Sequence, residues 1–113
     1  MATDTLEQVV RAVVNRLTEG DFEAAVTACS VSRLTVEDLR QVIYDYGRTF
    51  IEPPENAYCN LDAVAVRGST LPTWSVRAPL WSHEEGQSDL TLELTIIRDG
   101  DRWNVELDDL HVL

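Results

Sequence analysis

LTLELTIIRDGDRWNVELDDLHVL, residues 90–113, is the stretch of this 113-residue chain that decides the fold. Apolar and polar side chains alternate through residues 90–97 and again through residues 103–107. This period of two is typical of strands with one buried face. Asp99-Gly100, between the two runs, is a strong signal for a two-residue hairpin turn. The stretch therefore predicts two long antiparallel strands joined by a tight turn.

The alternation breaks once, at Asp108-Asp109. Leu110 is apolar in the opposite phase from Val105 and Leu107. One extra residue in a strand reverses the phase of the side chains, so the break predicts a β-bulge. Because bulges bend sheets, we expect the sheet to be curved.

Two further strands are predicted upstream of this hairpin. Residues 73–80 alternate with a period of two, and residues 58–67 show a weaker strand pattern. Pro79 has no N–H to donate, which predicts a sheet edge or a bulge at that position.

The first half of the chain has the signals of three helices. Thr5 and Gln8 form a capping-box pair at the start of the first helix, and Asp21 and Thr35 are the expected N-caps of the second and third. Residues 52–56 are predicted as a loop, because two prolines in series cannot continue a helix.

These elements predict one α+β domain over residues 1–113, with three N-terminal helices packed on a curved antiparallel sheet of about four strands. Two cysteines give no disulfide framework, and the helical phase of Cys29 predicts a buried thiol. The N-terminus lacks the pattern of a secretory signal, and the apolar runs are too short to cross a bilayer. We therefore expect a cytoplasmic protein.

The charge is strongly acidic, with twenty carboxylates, nine arginines, no lysine and a net charge of −11. Acidic residues are spread over both halves of the chain. Such a charge repels nucleic acid and membranes and steers cationic proteins toward the surface. Three explanations stay open: solubility alone, recognition of a basic protein, and mimicry of DNA.

The sequence offers few residues or motifs that are typical of catalysis. The sequence contains no phosphate-binding loop, dinucleotide fingerprint, nucleophile elbow or zinc-protease motif. His83 lies beside Glu84 and Glu85, but consecutive residues rarely converge on one ion, so we predict neither a metal site nor a cofactor. The sequence favours a non-enzymatic role and leaves an enzymatic one open.

Two sets of side chains are candidate sites. A basic partner would contact a tryptophan at a strand end together with the acidic residues of the following turn and of the last strand: Trp81, Glu84, Glu85, Glu106, Asp108 and Asp109. A ligand pocket would instead use Tyr46, Asp109 and His111, since Asp109 and His111 point to the same face of a strand.

Two short motifs resemble those of the nuclear transport factor two-like superfamily. Gly20-Asp21-Phe22-Glu23-Ala24-Ala25 is similar to a junction between helices in that superfamily, and Asp99-Gly100-Asp101-Arg102-Trp103 to the start of a late strand. The resemblance covers about half of the chain and implies helices cupped by a curved sheet, in a superfamily of pocket enzymes and non-catalytic binders that often dimerise. The chain departs from the pattern because no clear strand separates helices two and three, and the Asp–Tyr constellation of the isomerase members cannot be assigned.

The chain also looks like small acidic bacterial proteins of unknown function, some of which are immunity proteins for secreted toxins. Our leading hypothesis is therefore a non-enzymatic binding protein of a bacterial cytoplasm, of the immunity type, that binds a basic toxin or another cationic protein. The alternative is a small-molecule pocket protein or enzyme of the nuclear transport factor two-like type. A homodimer is the third hypothesis.

Overall fold

The structure is a computed structural model that describes residues 5–113. Within these residues it has four helices and one sheet of six strands, which confirms the α+β class. The elements in chain order are α1 Leu6–Thr18, α2 Phe22–Thr27, β1 Val31–Ser32, α3 Val36–Tyr46, β2 Phe50–Ile51, α4 Glu55–Cys59, β3 Asp62–Ala65, β4 Thr73–Ser82, β5 Gly86–Asp99 and β6 Arg102–Val112.

The β5–β6 hairpin forms as the alternation predicts. Its turn residues are Gly100 and Asp101, one residue later than the predicted Asp99-Gly100. Gly100 has a φ of 61°, a conformation that glycine adopts without strain. The register shifts once, because Glu93 pairs with Asp109 and the next residue of β5 pairs with Leu107. Asp108 is therefore the extra residue, and the predicted bulge is confirmed.

The helix start signals are also confirmed. Thr5 and Gln8 form a complete capping box at α1, Asp21 caps α2, and Thr35 forms a second capping box at α3. Gly47 ends α3 with a φ of 70°. Each cap satisfies backbone N–H groups that the helix leaves unpaired, so these boundaries follow from local chemistry.

The strand order is β1-β6-β5-β4-β2, and β3 also pairs with β4. β3 pairs with residues 74–77 of β4 and β2 with residues 81–82, which leaves Pro79 in the gap between them. The register of β4 against β5 also shifts between Pro79 and Trp81. Pro79 thus lies where neither β2 nor β3 pairs with β4, so no hydrogen-bond donor is needed on that side of the strand. The predicted irregularity is confirmed.

The predicted counts of three helices and about four strands, all antiparallel, were wrong. α4 begins at Glu55 inside the predicted loop, and the strand expected from residue 58 starts only at Asp62. Pro54 precedes α4 as its N-cap, a position where the missing N–H costs nothing. β1 and β2 are two residues each, too short to show an alternation, and β1 runs parallel to β6.

The core lies between the helices and one face of the sheet. Its fully buried side chains include Leu17 of α1, Leu39 of α3, and Leu92, Leu94 and Ile96 of β5. The opposite face, called the outer face here, carries the residues that alternate with them on β5 and their cross-strand partners on β4 and β6. No helix in residues 5–113 is long and apolar enough to cross a membrane.

Candidate functional site

A groove of about 330 Å³ separates the C-terminal half of α3 from the ends of β5 and β6, and we call it the α3–β6 groove. Its lining residues are Val42, Asp45, Tyr46, Leu90, Leu110, His111 and Val112. The apolar residues of this lining come from one side of α3 and from the alternating positions of β5 and β6 on the core side of the sheet. The groove is therefore apolar at its floor, and polar groups stand at its rim.

Tyr46 is held in the groove by both functions of its hydroxyl. The hydroxyl donates to Glu85 Oε2 at 3.0 Å and accepts from the backbone N–H of Asp89 at 3.2 Å. The ring lies 5.8 Å, centroid to centroid, from the ring of Phe50. Tyr46 therefore packs against the core with its hydroxyl satisfied.

The β4–β5 turn is tied to the segment that follows α3. Glu84 accepts hydrogen bonds from the backbone N–H of Thr49 at 2.9 Å and from the Thr49 hydroxyl at 3.0 Å. The backbone hydrogen bond from Thr49 is the main cause of a lowered pKa of the Glu84 carboxyl. Glu85 accepts from the Ser82 hydroxyl at 3.0 Å as well as from Tyr46. Both carboxylates thus hold the turn against α3.

On the outer face, three ionisable side chains converge beside the groove, and we call Glu93, Asp109 and His111 the His111 cluster. His111 Nε2 contacts Glu93 Oε2 and lies 3.8 Å from Asp109 Oδ2. Glu93 and Asp109 are direct cross-strand partners, and His111 follows Asp109 by two residues. One ligand atom from each of the three lies within 4.8 Å of the others.

The predicted pocket residues do come together, because Tyr46 and His111 line one groove and Asp109 adjoins His111. Glu93 was missed by the sequence reasoning. The reason is the turn: counting back from Gly100-Asp101 through one bulge places Glu93 opposite Asp109, whereas counting from the predicted Asp99-Gly100 turn places Thr91 there. The phase on β6 was predicted, but the cross-strand partner was not counted.

The six predicted partner contacts do not form one surface. Glu106 pairs with Thr95, nine positions along β5 from the Gly86 end, which is about 30 Å at the rise of a strand. Asp108 accepts from the Thr95 hydroxyl at 2.6 Å and lies 3.6 Å from Arg33 Nε. Contacts at Glu84 and Glu85 and contacts at Glu106 and Asp108 therefore belong to separate regions.

Trp81 lines a different cavity of about 420 Å³ between α4 and the uncovered edge of β4, which we call the α4–β4 pocket. Polar and apolar groups mix in its lining, which includes Tyr58, Asn60, Arg77 and Gln87. Tyr58 is 4% exposed, and its buried hydroxyl has no hydrogen-bond partner in residues 5–113. Burial raises the pKa of that hydroxyl.

Salt bridges neutralise only part of the acidic charge. Five of the nine arginines lie within 4.0 Å of a carboxylate of residues 5–113. Arg11 and Glu55 form a bidentate salt bridge with N···O distances of 2.8 and 2.7 Å. The hydrogen bond from Arg11 lowers the pKa of the Glu55 carboxyl. Most carboxylates of residues 5–113 have no such partner, so the surface keeps a strong negative field.

Comparison with known proteins gives one match. Residues 14–113 match a protein family described as "Domain of unknown function (DUF7668)". No curated protein and no solved structure matches the chain.

Proposed function

This chain belongs to the DUF7668 family, whose function is unknown, and from that premise we propose that it is a non-enzymatic acidic binding protein. Its partner is a basic protein that inserts a cationic, amphipathic segment into the α3–β6 groove. An immunity-type protein that sequesters a basic toxin is the specific form of this function that the composition suggests.

The observation that carries the proposal is that the groove combines apolar side chains with a carboxylate at its rim. Val42, which is half-buried, and Val112, which is 57% exposed, offer apolar surface, while Asp45 lines the same groove. A lysine or arginine side chain has the matching shape, because its methylene stem packs on apolar groups while its charged end stays at the rim. Charge complementarity thus selects the occupant.

The surroundings of the groove add to the same field. Glu85 contacts Tyr46, and Asp109 and Glu93 contact His111, so carboxylates stand at both ends of the groove. The whole chain carries −11. A field of this sign accelerates encounter with a cationic partner and orients it, and it weakens as salt is added.

A non-enzymatic role is supported by how the polar groups of the groove are already used. The Tyr46 hydroxyl is engaged as donor and as acceptor within the fold. A catalytic hydroxyl would have to break one of these contacts to reach a substrate. These groups stabilise the walls of the groove and leave its floor for binding.

Asp45→Lys should weaken binding of a fluorescent peptide of alternating lysine and leucine by about tenfold, or ~1.4 kcal/mol. The change replaces an attractive rim charge with a repulsive one, and the measurement is fluorescence anisotropy at low salt. Glu23→Lys on α2 alters the net charge equally, away from the groove, and should change the affinity by less than about twofold.

Equal losses in the two variants would contradict the proposal, because binding would then depend on net charge alone. So would the absence of binding to the wild-type protein at low salt. A peptide of alternating glutamate and leucine tests the sign of the interaction and should not bind. Amide shifts confined to the groove, mapped by NMR with the lysine peptide, would give the location independently.

A second candidate function is favoured by the α4–β4 pocket. Its volume lies in the range of small-molecule sites, and it combines an aromatic side chain with several polar groups. The resemblance to the nuclear transport factor two-like superfamily, which includes pocket proteins, supports this candidate. The ligand would be a small polar molecule with an apolar face that packs on Trp81.

Ala57→Phe should abolish small-molecule binding at this pocket, because a phenyl ring would fill the space beside Ala57. The measurement is a ligand-observed NMR screen of polar metabolites against the wild-type protein and the variant. Ala12→Phe places the same ring on an exposed position of α1 and serves as the control. Wild-type hits that survive in Ala57→Phe, or a screen without hits, would count against a ligand in this pocket.

A further inference from the structure

We propose that the His111 cluster is a binding site for a divalent transition-metal ion of the zinc type. The proposal rests on Glu93, Asp109 and His111 alone and does not depend on the function proposed above. The ion would sit on the outer face, where β5 and β6 pair beside the bulge.

The strand register supplies the geometry. A residue, the residue two positions on, and a direct cross-strand partner all project from the same face of a sheet. Asp109, His111 and Glu93 stand in this relation, and one ligand atom of each lies within 4.8 Å of the others. Zinc bonds of about 2.0–2.2 Å require ligand atoms roughly 3–3.5 Å apart, so small side-chain rotations suffice.

A hydrogen bond to Asp109 and a salt bridge to Glu93 engage one oxygen of each carboxylate within the protein. Asp109 Oδ1 accepts from the backbone N–H of Leu110 at 2.8 Å, and Glu93 Oε1 lies 3.4 Å from Arg77 Nε. The oxygens left over, Asp109 Oδ2 and Glu93 Oε2, are the two that face His111 Nε2. Outer contacts that orient a ligating group in this way are typical of metal sites.

The ligand chemistry selects the class of ion. One imidazole nitrogen with two carboxylate oxygens suits zinc and its neighbours in the transition series, whereas calcium and magnesium prefer oxygen ligands throughout. All three ligands come from the sheet, so the positions that face solvent stay open for water. The ion would replace the direct contact between His111 Nε2 and Glu93 Oε2.

The position of the bulge is part of the site. Asp108 is the extra residue of β6, and its carboxylate turns to the Thr95 hydroxyl and Arg33. Asp109 is thereby left as the cross-strand partner of Glu93. Metal motifs in sequences are recognised by ligands close together along the chain, whereas Glu93 and His111 are eighteen residues apart, so the sequence predicted no metal site here.

His111→Ala should reduce zinc affinity by at least about tenfold, measured by isothermal titration of the untagged full chain with zinc chloride. His83→Ala is the matched control, because His83 is the one other histidine of the chain and lies in an exposed turn beside Glu84 and Glu85. It should leave affinity and a stoichiometry of one ion per chain unchanged. Zinc should also raise the midpoint of thermal unfolding of the wild-type protein but not of His111→Ala.

Absence of zinc binding to the wild-type chain, or an equal loss in His83→Ala, would overturn the proposal. Asp109→Asn and Glu93→Gln keep the size of the side chain and remove one ligand charge each, so each should weaken zinc even if His111→Ala fails to fold. Cobalt gives a second readout, because its visible absorption reports a nitrogen and oxygen ligand set directly. Full cobalt absorption in all three cluster variants would place the ion elsewhere.

Discussion

Leu39→Ala should lower the free energy of unfolding by about 2–5 kcal/mol, measured by urea denaturation. Leu39 is the one residue of α3 that is fully buried, at 0% exposure, so it anchors the helix to the core. Truncation removes the buried methyl groups and leaves a cavity that the surrounding side chains only partly fill. A loss of this size is a large part of the stability of an ordinary domain, which is about 5–15 kcal/mol.

Tyr44→Ala is the matched control for this prediction. Tyr44 lies on the same helix but is 79% exposed, so its truncation should change the stability by no more than about 0.5 kcal/mol. Equal effects of the two variants would show that α3 is not anchored through Leu39. Because α3 forms one wall of the α3–β6 groove, Leu39→Ala should also weaken the lysine peptide without touching the rim charges.

The two cysteines should differ in alkylation by iodoacetamide at mildly basic pH by at least about a hundredfold. Burial raises the pKa of the Cys29 thiol to about 11, and its Sγ donates to the backbone carbonyl of Ala25 at 3.3 Å. At a pH near 8, only about one Cys29 in a thousand would be the reactive thiolate. Cys59 is exposed at the end of α4 and should react first.

Mass spectrometry of the peptides that contain each cysteine measures the two rates. Unfolding in guanidinium chloride provides the control, since both thiols should then react at similar rates. Because the raised pKa means that the neutral thiol is favoured in the folded state, the difference should shrink as the pH approaches 11. Similar rates for the folded protein at pH 8 would contradict the described position of Cys29, which follows α2 and packs half-buried against the core.

Sequence patterns predicted some residues of the candidate sites and missed others. The phase of β6 predicted that Asp109 and His111 share a face, and Tyr46 was predicted to line a pocket with them. The predicted hairpin places β5 beside β6, but its turn lies one residue later than Asp99-Gly100, so the predicted register did not pair Glu93 with Asp109. The turn carboxylates Glu84 and Glu85 were predicted as partner contacts, whereas their hydrogen bonds to Thr49, Ser82 and Tyr46 are made within the fold.

The parts of the fold that sequence reasoning predicted correctly depend on interactions between residues a few positions apart. The capping boxes at Thr5 and Thr35, the tight turn at Gly100 and the bulge at Asp108 all belong to this group. Their energies come from nearby backbone groups and from the alternation of apolar side chains, and both can be counted along a chain.

Contacts between distant residues decided the rest. β1 and β2 are strands only because the edges of β6 and β4 supply hydrogen-bond partners. A strand of two residues is too short to show the alternation from which strands are predicted. α4 is a single short helix packed against α1 through Arg11, Glu55 and Tyr58. The α3–β6 groove and the His111 cluster exist because the register of the sheet and the packing of α3 bring residues together that are far apart in the chain. Burial of the core stabilises this arrangement, and no pattern of neighbouring residues in the sequence indicates it.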